Sequence, residues 1–392
     1  MTPNIQFLIK CCKTNPSASD IEHIRAHLRQ LENQQLSKIF TLAHNHGVLP
    51  LLNQTLKTHA SDLLTSNNLK KIKRQNMTVT LRNMRMTVEL IHVMRLLKES
   101  GINALAFKGP TLSQLAYGNI RLRQYVDLDI LVRKKDIYNI DTLLKNKGYK
   151  RILELTSSQE KAWFKYAYDI KLFTPNNGVT LEIHWSLLEQ DYPTHINLDT
   201  IWENPQFVMI NNHEILTFST ENLLLYLCIH GSKHLWERIE WIKDIDQLIQ
   251  TQDINWEVIL KKSGNSDFET MIYLGLYLTY NLFGTEIPKP VKILVTRNKS
   301  FVNLTNYIFK RWQNPTMTGI SSTIHQTATK LKLFPTLSMR LRYLHKIIFK
   351  PTLNEYWFIE LPNTLYWLYY LIRPYLLLKK YLSIGKNKFL CR

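Results

Sequence analysis

Apolar residues recur at every third or fourth position through IEHIRAHLRQLENQQLSKIFTLAHNHGVLPLLNQTL and again through LKKIKRQNMTVTLRNMRMTVELIHVMRLLKES. That period predicts amphipathic helices over residues 1–100, with a stop at Gly101. The period then shortens. INALAFKG reads as a short buried strand ending at Lys108-Gly109. PTLSQLAYG reads as a short helix with Pro110 at its first position, where a missing N–H costs nothing. YVDLDILV alternates as a strand, and KKDIYNIDTLLKNKGY returns to helical spacing and closes at Gly148. AYDIKLFTPNNGVTLEIHWSL predicts a β-hairpin turning at Asn176-Asn177-Gly178. Beyond Ser186 helical spacing resumes, with STENLLLYLCIHGSKHLWERIEWIKDIDQLIQ as a helical pair punctuated at Gly231 and Ser232. Further helices are separated by Pro288, Pro290, Pro315, Pro335, Pro351, Pro362 and Pro374. The pattern predicts an α+β chain without repeats: a helical region at 1–100, a small mixed-sheet α/β core at 101–186, and a helical region at 187–392.

Composition adds charge to this layout. At 45% hydrophobic and 21% charged, the 392 residues are globular in character. The net charge is +19, and the stretch from Lys330 onward holds twelve Lys/Arg against Glu355 and Glu360 alone. A basic, aromatic tail of this kind suits a polyanion or an anionic lipid surface, and equally a solvated basic face. Cys11, Cys12, Cys228 and Cys391 are scattered, fitting neither a zinc site nor a disulfide framework, so a reduced, cytoplasmic protein is expected. MTPNIQFLIKCCKTNPS has no long apolar stretch and no small-residue cleavage site, so no signal peptide is expected. TLYWLYYLIRPYLLL is too short to span a bilayer and is interrupted by Arg373 and Pro374. Residues 364–392 are therefore a packed helical cap or a peripheral contact at the inner face of the membrane, not a transmembrane helix.

The candidate chemistry sits in the middle segment. On a strand Asp127 and Asp129 point to one face while Val126, Leu128 and Ile130 point to the other. Paired carboxylates of this kind suit hard cations such as Mg²⁺. In VTLEIHWSL, Glu182 and His184 share the polar face, and Glu182 joins the aspartates if the two strands pair. Three carboxylates on adjacent strands can hold two divalent ions. Lys108, Gly109 and Thr111 lie at a strand-to-helix junction, where backbone N–H groups suit phosphate oxygens. Arg121 and Arg123 also suit phosphate contacts, and surface arginines are the plainer reading. The G-x-x-x-x-G-K-[ST] frame of a P-loop is absent. His230 and His234 share a helix face at metal-ligand spacing but lack the H-E-x-x-H context, so packing or covering a ligand fits them better.

Together these residues resemble the nucleotidyltransferase superfamily of DNA polymerase beta. More narrowly, LAFKGPTLSQLAYGNIRLRQYVDLDILV resembles the bacterial family labelled uncharacterised nucleotidyltransferase, through Lys108-Gly109, Tyr117-Gly118, Arg123, Asp127, Asp129 and Leu131-Val132. The likeness continues through Glu182, His184 and Trp185, then through His230, Gly231, His234, Trp236 and Asp244, and into LPNTLYWLYYLIRPYLLLKKY. Three features depart from the superfamily pattern. Pro110 follows Gly109, Gly109 lies eighteen positions before Asp127, and the third carboxylate is Glu182 where Asp is commoner.

The resemblance implies a nucleotidyltransferase core and transfer of a nucleoside monophosphate from a triphosphate such as ATP to an acceptor hydroxyl, releasing pyrophosphate. Asp127, Asp129 and Glu182 would be the catalytic residues and would hold two Mg²⁺ ions, or Mn²⁺ in their place. Lys108, Gly109, Thr111 and Arg123 would bind the nucleotide, with His184, His230 and His234 beside them. The acceptor stays open among a protein side chain, a sugar and an RNA end. Two other classes stand against this reading: a non-catalytic nucleotide-binding or scaffolding protein on the same fold, and a nucleic-acid binder driven by charge. No recognition motif beyond charge supports the second.

Overall fold

The computed structural model describes residues 1–156, 159–160, 164, 167–176, 178–264, 266–313 and 320–389. Helices α1 (Pro3–Cys11), α2 (Ala18–Arg29), α3 (Asn33–Asn45) and α4 (Leu49–His59) precede the long α5 (Ser66–Glu99). Ser17 starts α2 with a capping box to Asp20, satisfying donors that would otherwise be orphaned at the helix start. The middle of the chain forms β1 (Ala104–Ala106), α6 (Gly109–Tyr117), β2 (Asp127–Val132), α7 (Ile137–Asn146), β3 (Lys150–Arg151), β4 (Asp169–Phe173) and β5 (Thr180–His184). The expected strand–helix–strand–helix–hairpin order is present. Asn177, the middle of the expected turn, lies outside the described residues.

The five strands make one mixed sheet in the order β1-β2-β5-β4-β3, with β2 and β5 parallel and the other neighbours antiparallel. Period two divides its faces. Leu128, Ile130, Leu181 and Ile183 join Leu90 and Val93 of α5 and Ile140 and Leu144 of α7 in one buried cluster. Leu105, Phe107 and Leu131 point the other way, into a larger cluster built by the flanking helices. The two aspartates of β2 lie on this second face.

Past β5 come α8 (Asp199–Trp202), β6 (Gln206–Ile210) and β7 (His213–Thr217), then α9 (Thr220–Lys233), α10 (Ile239–Thr251), α11 (Trp256–Ser263) and α12 (Glu269–Phe283). The chain continues through α13 (Lys289–Arg297), α14 (Ser300–Gln313), α15 (Ile320–Leu331), α16 (Leu337–Phe349), α17 (Leu353–Phe358) and α18 (Tyr369–Phe389). The β6–β7 hairpin interrupts a stretch whose spacing suggested helices alone. Its signal is Asn211-Asn212, both with positive φ, flanked by alternating residues, as a two-residue hairpin turn requires.

Three other details differ from the sequence reading. Gly231 does not punctuate a helix end but lies inside α9, which runs on to Lys233. A Cβ there would stand 2.3 Å from a ring carbon of Trp236, a side chain with no exposed surface, so the residue must be small. The chain turns instead at Leu235 and Trp236, both in the left-handed region. Pro290 opens a helix rather than breaking one, and α18 carries Pro374 internally.

As far as it is described, one side of the tail is packed: α18 lies on α16 and α17, Tyr369 is buried, and Arg373 pairs with Glu355 at 3.1 Å. Leu371, Tyr375 and Leu378 face outward. Among the described residues, no helix is long and apolar enough to cross a membrane.

Candidate active site

The parallel pairing of β2 and β5 sets Asp129 directly opposite Glu182 and Leu131 opposite His184. Because both strands alternate, Asp127, Asp129, Glu182 and His184 emerge on one face, at the floor of a cleft of about 250 Å³. Single ligand atoms of Asp129, Glu182 and His184 all lie within 4.8 Å of one another. Asp129 is 2% exposed; His184 Nε2 stands 3.2 Å from its Oδ1, and Lys108 Nζ 2.9 Å from the same atom. Its Oδ2 is buried with no partner among the described residues. Glu182 is met by Lys171, which the β4–β5 register places opposite it.

Electrostatics distinguish the two aspartates. Burial would raise the Asp129 carboxyl, but Lys108 and His184 outweigh it and hold the group well below the usual carboxylate range. Asp127, lacking such a partner, is pushed up to about 6 by burial and then by the charge of Asp129. Burial would lower His184, yet the Asp129 and Glu182 carboxylates raise it to about 9.

Of the residues expected at the phosphates, Lys108 and Arg123 line the cleft, and Gly109 and Thr111 do not. Lys108 ends the segment after β1 and is the counter-charge of Asp129. Gly109 has φ +57, and a Cβ there would lie 3.3 Å from the Asp127 carbonyl oxygen, so glycine is required for close packing against β2. Thr111 is 1% exposed, and its hydroxyl donates to the Lys108 carbonyl at 2.6 Å, which turns it into the first turn of α6 and away from the cleft. Arg121 is exposed and lies outside the cleft lining. Arg123 lines the cleft but is buried, with Nε donating to both Asp244 oxygens at 2.9 and 3.0 Å. The Tyr117 hydroxyl donates to the same carboxylate at 2.9 Å. From the other side, Asn83 Nδ2 donates to the carbonyls of Ile120 and Arg123 at 2.6 and 2.9 Å. The loop leading into β2 is thereby clamped between α5 and α10.

His230 and His234 stand in the opposite wall, with ring centroids 4.8 Å apart and 5.2 and 5.5 Å from that of Trp241. Burial, and then the nearby Lys108, hold His230 well below its ordinary value, which favours the neutral imidazole. Neither histidine joins a metal-holding cluster among the described residues. Tyr168, Lys171, Tyr226, Lys233, Arg238 and Glu240 also line the walls, none of them singled out in the sequence. Only Lys171 carried a readable signal, since pairing two strands about residues 176–178 sets it opposite Glu182.

Asp129, Glu182 and His184 could hold a metal ion, with the Asp127 carboxylate on the same face and basic side chains at the rim. Residues 32–284 match the model of a family described as uncharacterised nucleotidyltransferase, from just before α3 to the end of α12. No curated protein is significantly similar to the chain. Among solved structures, the chain is similar to an antigenic nucleotidyltransferase-like protein from Paracoccidioides brasiliensis, at 16% identity and TM-score 0.36, over 55% of this chain and 97% of that one. The antibiotic-resistance factor ANT(2'')-Ia in solution gives 13% and 0.32, over 44% and 87%. The lincosamide antibiotic adenylyltransferase LnuA, lincomycin-bound, gives 18% and 0.29, over 42% and 96%.

Proposed function

Since the chain belongs to the uncharacterised nucleotidyltransferase family, we propose that it transfers a nucleoside monophosphate from a triphosphate to the hydroxyl of an acceptor, releasing pyrophosphate. The acceptor oxygen forms a bond to the α-phosphorus while the bond from that phosphorus to the bridging oxygen breaks; the hydroxyl proton is released to solvent. The observation that supports this best is the β2–β5 register, which places Asp129 beside Glu182 on the face that also carries Asp127. These three residues would hold Mg²⁺, or Mn²⁺ in its place; the ions would supply charge neutralisation at the phosphates and activation of the hydroxyl.

The chain's own residues do the rest. His184 and Lys108 fix the orientation of Asp129 through its Oδ1, leaving the buried Oδ2 without a hydrogen-bond partner among the described residues. Lys171 and Arg238 bring positive charge to the walls for a triphosphate, and the Trp241 ring, set edge-on to His230, offers an aromatic face to the base. Arg123 positions the loop that carries Asp127. Catalysis of this kind rests mainly on placement and charge.

Incubating the protein with each α-³²P-labelled NTP, Mg²⁺ and a cell lysate tests the reading. Label is expected in one fraction with one or two of the triphosphates, and EDTA should abolish it. Nucleotide binding that is indifferent to divalent metal, with no pyrophosphate released, would point to a non-catalytic binder.

A peripheral contact with an anionic membrane through residues 364–392 belongs to the same proposal. It is supported by Trp367, Leu371, Tyr375 and Leu378, each more than half exposed beside a basic tail. Co-sedimentation with vesicles rich in anionic lipid should fall at least tenfold when 364–392 is removed. Equal sedimentation of both proteins would rule the contact out.

A further inference from the structure

The cleft does not end at its own walls. Tyr168, Lys171 and Lys233 also line a second cavity, of about 870 Å³, so the two spaces share a side. This cavity lies between β4 and the C-terminal helices, and its volume is that of a site for a drug-sized molecule. Ile152, Ile170, Tyr192, Tyr343, Ile347 and Trp357 give it a largely apolar and aromatic lining.

Its charged side chains are not all satisfied. Lys346 meets Glu189, Lys350 meets Asp191 at 2.5 Å, and Arg373 meets Glu355 at 3.1 Å. Arg151 is paired with Asp141 at 2.7 Å, and Lys171 with Glu182. Lys233 and Lys330 have no carboxylate within ion-pair reach among the described residues. The Lys233 ammonium lies 4.7 Å from the centre of the Tyr168 ring, and its nearest compensating charges, Glu189 and Asp169, act on it from beyond ion-pair distance. Both lysines are half-buried, and burial lowers the basicity of each; the cations Lys233, Arg311 and Lys346 lower Lys330 further, while Glu189 and Asp169 offset part of the effect at Lys233. Two unpaired ammonium groups at the edge of an apolar cavity are costly unless an anion joins them.

We infer that this cavity is the acceptor site, and that the acceptor is a compact organic anion with an apolar or aromatic body. The inference rests on the transfer reaction proposed above. The body would fill the space against Tyr343 and Ile347, and the anionic group would meet Lys233 and Lys330. The hydroxyl would then reach the shared side at Tyr168 and Lys171, facing Asp129 and Glu182. The bond made and the bond broken are those already described.

The test needs no turnover. Titration calorimetry of the full chain in EDTA would compare 1-naphthyl phosphate, 1-naphthol and inorganic phosphate. The phosphate ester is expected to bind at least tenfold more tightly than either part alone. Lys330→Met should weaken it at least tenfold and Lys330→Arg should restore it, since Lys330 lines the cavity but not the cleft. Ile347→Trp should block the ester while leaving ATP binding unchanged. Binding of the ester that is insensitive to both Lys330→Met and Ile347→Trp would overturn the inference, as would an ester no tighter than inorganic phosphate. The two readings fail separately. Normal nucleotide transfer without ester binding would remove the acceptor site alone, and lysine-dependent ester binding without transfer by any NTP would remove the reaction alone.

Discussion

Asp129→Asn and Asp127→Asn are each expected to lower nucleotide transfer by about 10³-fold, on the order of 4 kcal/mol of transition-state stabilisation. The two substitutions should separate in stability. Asp129 is 2% exposed and carries both Lys108 and His184, so its loss leaves a buried ammonium short of its partner. A cost of about 3 kcal/mol follows. Asp127 has no such partner, and its carboxylate is disfavoured by burial and by the neighbouring Asp129. Asparagine there removes a charge that the fold tolerates poorly, so Asp127→Asn should unfold at the same urea concentration as the parent or a higher one. Loss of activity without loss of stability is the signature of a residue kept for chemistry. Pyrophosphate release and urea unfolding measure the two quantities. Retention of the parent rate by either variant would remove that aspartate from the reaction.

The same residues show what a sequence can reveal. Asp127, Asp129, Glu182 and His184 were legible because a strand's period of two assigns each side chain to a face, and buried neighbours on the other face leave no second register. Glu182 needed one further step, the pairing of two strands. Lys108 is different: whether its ammonium meets a phosphate or a carboxylate depends on the antiparallel register of β1 against β2, with Ala106 opposite Ile130. No local pattern encodes that register. The β6–β7 hairpin was written in Asn211-Asn212 and in the alternation around it, yet it was overshadowed by helical spacing on both sides. The second cavity had no local signature at all, because its walls come from segments spread between Arg151 and Arg373. Side chains that must meet across such distances are set by packing, and one sequence records packing only as scattered apolar positions.

Arg123 is where that limit has the largest energetic consequence. Read locally, an arginine four residues before a candidate catalytic aspartate is a phosphate ligand. In the fold its Nε is held by Asp244, 121 residues away, in a pair with 6% and 0% side-chain exposure. Arg123→Met is therefore expected to cost about 3–5 kcal/mol in urea unfolding, the penalty for leaving a buried carboxylate without its cation. Tyr117 can donate only one hydrogen bond to Asp244, and Glu240 beside it adds like charge. The double variant Arg123→Met, Asp244→Asn removes both charges and should recover most of the loss, because a neutral pair carries no such penalty. The clamp also predicts how activity responds. A loosened β2 loop displaces Asp127, so the single variant should lose kcat, and the double variant should regain part of it. A direct phosphate contact makes the opposite forecast: unchanged stability, a raised KM for the triphosphate, and no rescue from Asp244→Asn. Whichever pattern appears assigns Arg123 to one role, and the observed bonds to Asp244 favour the clamp.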